Sequence, residues 1–112
     1  MNASELSAAL GNAATLSTSD LFYVHIDERQ CSVTLGFAIQ RENEATEFFL
    51  KFMETRHLKV RGWSAPGVKD VRLEDGPQGI TVAITSDGSA LRFEAAHMSL
   101  EKPRTFRTGS TP

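Results

Sequence analysis

Cys31-Ser32-Val33-Thr34-Leu35-Gly36-Phe37-Ala38-Ile39-Gln40 alternates residue by residue between large apolar side chains and small or polar ones. Cys31, Val33, Leu35, Phe37 and Ile39 fall on one side, and Ser32, Thr34, Gly36, Ala38 and Gln40 on the other. Successive side chains of an extended strand point to opposite faces, so this run predicts a half-buried antiparallel strand. Just upstream, Leu21 to Asp27 is aromatic and β-branched, with Phe22, Val24 and Ile26 expected on one face and Leu21, Tyr23 and His25 on the other. The short turn Asp27-Glu28-Arg29-Gln30 makes a hairpin of the two.

Downstream, Arg41 to Ala45 carries no strand signal and is read as a polar loop. Glu47 to Glu54 fits two periods, a strand through Phe48, Leu50 and Phe52 or a helical stripe through Phe49, Phe52 and Met53. Aromatic density and the alternation of its neighbours decide for strand. Leu58 and Val60, expected inward, alternate with Lys59, Arg61 and Trp63 in a further strand stopped by Pro66 and Gly67. Lys69 to Glu74, Gly79 to Thr85 and Leu91 to Ala95 follow, with inward Val71, Leu73, Ile80, Val82, Ile84, Leu91 and Phe93. Asp87-Gly88 between the last two suits a two-residue hairpin turn that needs positive φ. His97 to Leu100 extends this pairing, and Thr105-Phe106-Arg107 forms a last short run after Pro103. The expected fold is mainly β: a single antiparallel sheet bent into a small sandwich or half barrel. Ser4 to Leu10 can add a short helix stopped by Gly11, either docking Leu6 and Leu10 on the sheet or fraying. Residues 1–18 are thus a flexible or short helical segment, 19–107 a single β-rich domain and 108–112 a loose tail.

With 112 residues, 40% of them apolar and 23% charged, the chain has the composition of one globular domain. The lone Cys31 cannot close an internal disulfide and no secretory leader is recognisable, which points to a reducing cytoplasm. No apolar stretch approaches the length of a membrane span. The net charge of −2 argues against a nucleic-acid binder, because phosphate affinity rests on clustered Lys and Arg. That total hides a polarity: residues 1–54 carry a net −5 and residues 55–112 a net +3.

Chemistry finds little purchase. His25, Cys31, His57 and His97 have no metal-ligand spacing, and His25 reads as a strand residue and Cys31 as a small buried hydrophobe. Gly62-Trp63-Ser64-Ala65-Pro66 approaches a nucleophile elbow but has Pro66 where the motif needs Gly. Glu42, Glu44 and Glu47 lack calcium-loop spacing. No catalytic set, metal or cofactor is therefore expected. Two features suit binding instead. Trp63 beside Arg61 is either an exposed aromatic anchor or a cap on the core. The acids Asp27, Glu28, Glu42, Glu44, Glu47 and Glu54 either steer a basic partner or serve solubility.

The order of Leu21–Asp27, Cys31–Ile39, Phe48–Phe52, Leu58-Lys59-Val60-Arg61-Gly62-Trp63, Asp70-Val71, Ile80-Thr81-Val82 and Leu91-Arg92-Phe93 resembles the immunity protein 50 family of bacterial polymorphic toxin systems. The likeness runs from Ser19 to Ser110 and rests on hydrophobic pattern with one Gly-Trp signature. It implies a small cytoplasmic protein, not an enzyme, that binds and neutralises a cognate protein toxin. The surface residues chosen for that contact are Arg61, Trp63, Glu42, Glu44 and Glu47. The alternatives are a homo-oligomeric structural or adaptor β domain, self-pairing through a strand edge or a face such as Phe49 and Met53, and a small enzyme or ligand-binding barrel with a pocket near His25 or His97.

Overall fold

Two antiparallel meanders meet at their last strands. The first is β1 (Asp20–Asp27), β2 (Ser32–Arg41) and β3 (Glu44–Arg61); the second is β4 (Asp70–Gly76), β5 (Gly79–Ser86) and β6 (Ser89–Leu100). Because β3 pairs with β6, the strands form a single antiparallel sheet in the order β1-β2-β3-β6-β5-β4, and β7 (Arg104–Arg107) pairs with the start of β3. The terminal strands β1 and β4 do not pair with each other, so the sheet is not closed into a barrel. This computed structural model describes residues 2, 4–6, 19–41, 43–62, 70–86, 88–101 and 104–107.

The mainly β reading holds, and Glu47–Glu54 is strand, not helix. Several local expectations are corrected. Glu47–Glu54 and Leu58–Arg61 belong to one 18-residue strand. The expected loop Arg41–Ala45 is mostly ladder, since Arg41 pairs with Glu44 at a tight turn. Cross-strand bonding there outweighs polar composition, as strand propensity is mainly a matter of neighbours. Cys31 is exposed in the turn, not buried in β2. Asp27 Oδ1 accepts the backbone N–H groups of Arg29 and Gln30 at 3.0 and 3.1 Å, and the loop closes with Cys31 left-handed at φ 49°. His25 lies opposite Thr34, so no His25–Cys31 pair faces across the hairpin.

Both meanders bury side chains in one core. Phe37, Phe48, Phe52 and Phe93 are fully buried, with Val33, Leu35, Leu50, Val82, Ile84 and Leu91 around them. Each contributes about 1.5–3 kcal/mol by leaving water. Phe37 stacks on Phe48 at 5.3 Å, and Phe52 meets Phe93 edge-on at 5.1 Å and 76°. The second contact joins the two meanders, and the backbone of β3 bends to allow it. Glu54 (φ 55°) and His57 (φ 56°) are left-handed, and the register with β6 shifts between Arg56 and Lys59. Such a bulge inserts an extra residue and sharpens twist. Opposite it, the buried positions of β6 change from Leu91, Phe93 and Ala95 to Met98. Beyond the bulge Val60 keeps to the row of Leu91, Ile84 and Val71, on the side opposite Lys59 and Arg61, but the core does not cover this end of β3: Leu58 and Val60 are exposed, at 37% and 51%.

At the N-terminus, Asn2 Oδ1 accepts the Glu5 N–H at 2.8 Å and Glu5 Oε1 accepts the Asn2 N–H at 3.1 Å. This reciprocal cap starts a helical turn at Ser4–Leu6 and sets Leu6, 2% exposed, into the core. Leu6 docks as one branch of the sequence reading expects; Leu10 and Gly11 lie outside the described residues. Leu6→Ala is expected to cost about 2–3 kcal/mol in urea denaturation, whereas a frayed segment would cost nothing.

Candidate functional site

The outward side of β1, β2 and the first half of β3 presents aromatic side chains to solvent, and a glycine and a bulge together place them there. Tyr23, Gly36 and Phe49 stand side by side on the three strands. A Cβ at position 36 would lie 2.8 Å from both Phe49 Cε1 and Tyr23 Cβ. Only the absent side chain of Gly36 lets the rings close over β2. Phe49 meets Tyr23 at 5.7 Å and 84°, and Phe22 at 5.8 Å and 73°. His25 stacks on Tyr23 at 6.3 Å.

Phe22 reaches this cluster because the register of β1 slips between Leu21 and Tyr23. The slip corrects the expected faces of β1. Leu21 is buried and Val24 and Ile26 pack on the core, while Phe22 (44% exposed) and Tyr23 (42%) both face out. Strict alternation hides this, since a single bulged residue reverses the faces that precede it. The consecutive aromatics Phe22-Tyr23 beside Gly36 are the only trace of the cluster in the sequence. Further along the same side, Met53 is 41% exposed. An exposed cluster of rings held against one another has already lost much of its rotamer freedom, which is what an aromatic anchor of an interface requires.

The residues chosen from sequence do not assemble into one patch. Arg61 and Glu44 are exposed at opposite ends of β3, and Glu47 is half-buried near Glu44. Trp63 and Glu42 lie outside the described residues. Asp27, Glu28 and Glu54 gather at the turn between β1 and β2, whereas Glu44 and Glu47 are at the other end of the β2–β3 ladder. The remaining histidines each face a carboxylate, His57 with Glu94 at 3.9 Å and His97 with Glu54 at 3.5 Å. Among the described residues no three of His, Cys, Asp and Glu converge as metal ligands, and no helix is long and apolar enough to cross a membrane.

Two concavities among the described residues flank β3. An open cleft of about 640 Å³ lies between Leu58 and Val60 and the stretch His25–Arg29. A smaller hollow of about 250 Å³ is lined by His57, Lys59, Arg92, Phe93 and Glu94. Compared with known proteins, the chain matches no family model, no curated protein and no solved structure.

Proposed function

We propose that the protein is a non-catalytic binding module, an immunity protein that holds and neutralises a cognate protein toxin in the cytoplasm of the cell that makes it. One observation carries the reading: Phe22 and Tyr23, exposed yet pre-packed on the half-buried Phe49 over Gly36. The resemblance of the order of its apolar runs, from Leu21–Asp27 to Leu91-Arg92-Phe93, to the immunity protein 50 family suggests the specific role. Aromatic side chains in a rigid setting supply a large share of interface energy, and surrounding charges supply rate and selectivity.

Self-association is the second reading, and Phe49 with Met53 favours it. The sheet edges speak against strand-to-strand pairing. β4 carries Asp70, Arg72, Glu74 and Asp75, and β1 is bulged. Charged and bulged edges discourage another strand from adding to a sheet. Light scattering of the dilute protein separates the two readings: a monomer removes self-association.

The test is co-expression with the toxin encoded by the adjacent gene. The wild-type chain should restore growth and co-purify with the toxin. The double variant Phe22→Ala/Tyr23→Ala should weaken the complex at least about 30-fold, the equivalent of about 2 kcal/mol. Failure of the wild-type chain to protect cells would remove the immunity role.

A further inference from the structure

We infer that the opposite half of the sheet carries a second contact surface, a cationic one that receives an acidic patch of the partner protein. This rests on the binding-module reading and deepens it by naming the chemistry of the surface bound.

The placement follows from the register. Lys59 stands opposite Arg92, Arg92 opposite Ala83, and Ala83 opposite Arg72, so a single row crosses β3, β6, β5 and β4. The neighbouring row is Arg61, Ala90, Thr85 and Asp70. These side chains face away from the core, since the alternate residues Leu91, Phe93, Val82, Ile84 and Val71 are buried. Lys59, Arg61, Arg72 and Arg92 are all exposed.

The fold pairs the outer members of this surface with anions, while at its centre Glu94 lines one hollow with Lys59 and Arg92 without an ion pair to either. Arg72 is paired with Asp70 at 3.1 Å. Arg56 binds Gln78 and stands opposite Glu94, which also faces His57. Lys59, Arg61 and Arg92 have no ion-pair or hydrogen-bond partner for their side chains among the described residues. Like charges directly opposite each other on adjacent strands destabilise a sheet. The Lys59–Arg92 pair therefore costs the free protein stability, and an incoming carboxylate converts that cost into charge-assisted hydrogen bonds. The short side chains of Ala83, Ala90 and Thr85 between the cations let a flat surface approach closely.

A protein carboxylate suits the surface better than a nucleic acid. Polynucleotide binding draws on many phosphate contacts, and here a few cations sit on a chain of net charge −2. Sequence-tolerant binding of single strands also needs aromatic platforms. Among the described residues the exposed rings Phe22 and Tyr23 are on the other meander, and Phe93 is buried.

The experiment uses the full chain and two labelled probes of equal length, a hexaglutamate peptide and a thymidine hexanucleotide, followed by amide chemical shifts and anisotropy at low salt. The peptide should shift the amides of Lys59 to Arg61 and Ala90 to Arg92, and Lys59→Glu should weaken it at least tenfold. The same substitution turns a like-charge pair into an opposite one, so Tm should rise by about 1–4 °C. A variant that has merely lost structure would melt lower. Absence of peptide shifts at these amides, tighter binding of the nucleotide, or a lowered Tm for Lys59→Glu would each overturn the inference. With the toxin itself, Lys59→Glu/Arg92→Glu should weaken binding. Full affinity in that variant, with loss in Phe22→Ala/Tyr23→Ala, would dismiss this surface and leave the immunity role standing.

Discussion

Phe93→Ala should lower the free energy of unfolding by about 3–5 kcal/mol, read as a shift of the urea midpoint at unchanged slope. The ring is fully buried in β6, a central strand held between β3 and β5. It pairs with Val82 across the β5 ladder and meets Phe52 of the other meander edge-on at 5.1 Å. Its removal therefore opens a cavity where the halves of the sheet join, and surrounding strands bonded on both sides cannot collapse into it. Domains of this size have total stabilities of about 5–15 kcal/mol, so the substitution should remove a large fraction of the total. A loss below about 1 kcal/mol would mean that the ring is not packed at this junction.

Gly79→Ala should be nearly as damaging, about 3 kcal/mol or more, although it adds one carbon to a hairpin end. Gly79 opens β5 with φ 132°, a region that L side chains rarely adopt. A Cβ there would stand 2.1 Å from the carbonyl oxygen of Ala95 and 3.0 Å from Ala96 Cα, both backbone of β6. Backbone in a central strand cannot give way as the tip of a side chain can. Gly88 is the control: its φ of 73° is also left-handed, but a Cβ would meet nothing within 4 Å. Gly88→Ala should cost only the conformational term, about 1–2 kcal/mol. Equal effects of the two substitutions in thermal or urea melts would refute the steric account.

Strand after strand was legible because period-two alternation reports directly which side of a ribbon is wetted. Val33, Leu35 and Phe37, then Val82 and Ile84, announce themselves and are buried. The errors of burial fall at bulges, left-handed residues and turns, and the loop expected at Arg41–Ala45 is ladder because cross-strand pairing overrides its polar composition. Phe22 was expected beside Val24 and Ile26 but is exposed, because a register slip intervenes. Leu58 and Val60 were expected inward but lie beyond the left-handed residues Glu54 and His57 and are exposed. Cys31 continues the alternation of β2 in the letters yet belongs to the turn. Bulges and left-handed residues at Phe22, Glu54 and His57 carry no Gly or Pro to mark them, so nothing local betrays them. The candidate sites suffered most, since both the aromatic cluster and the cationic row depend on which strands are neighbours.

The order of residues was sufficient to settle an antiparallel, mainly β chain with its core side chains, because burial and strand period are written within a few neighbouring positions. Pairing β3 with β6 instead of β4, the roll of the sheet at Glu54, and the meeting of Tyr23 with Phe49 or Lys59 with Arg92 came from the folded molecule alone. Those contacts join residues far apart along the chain, and their free energy exists only once the intervening strands have closed on a common core.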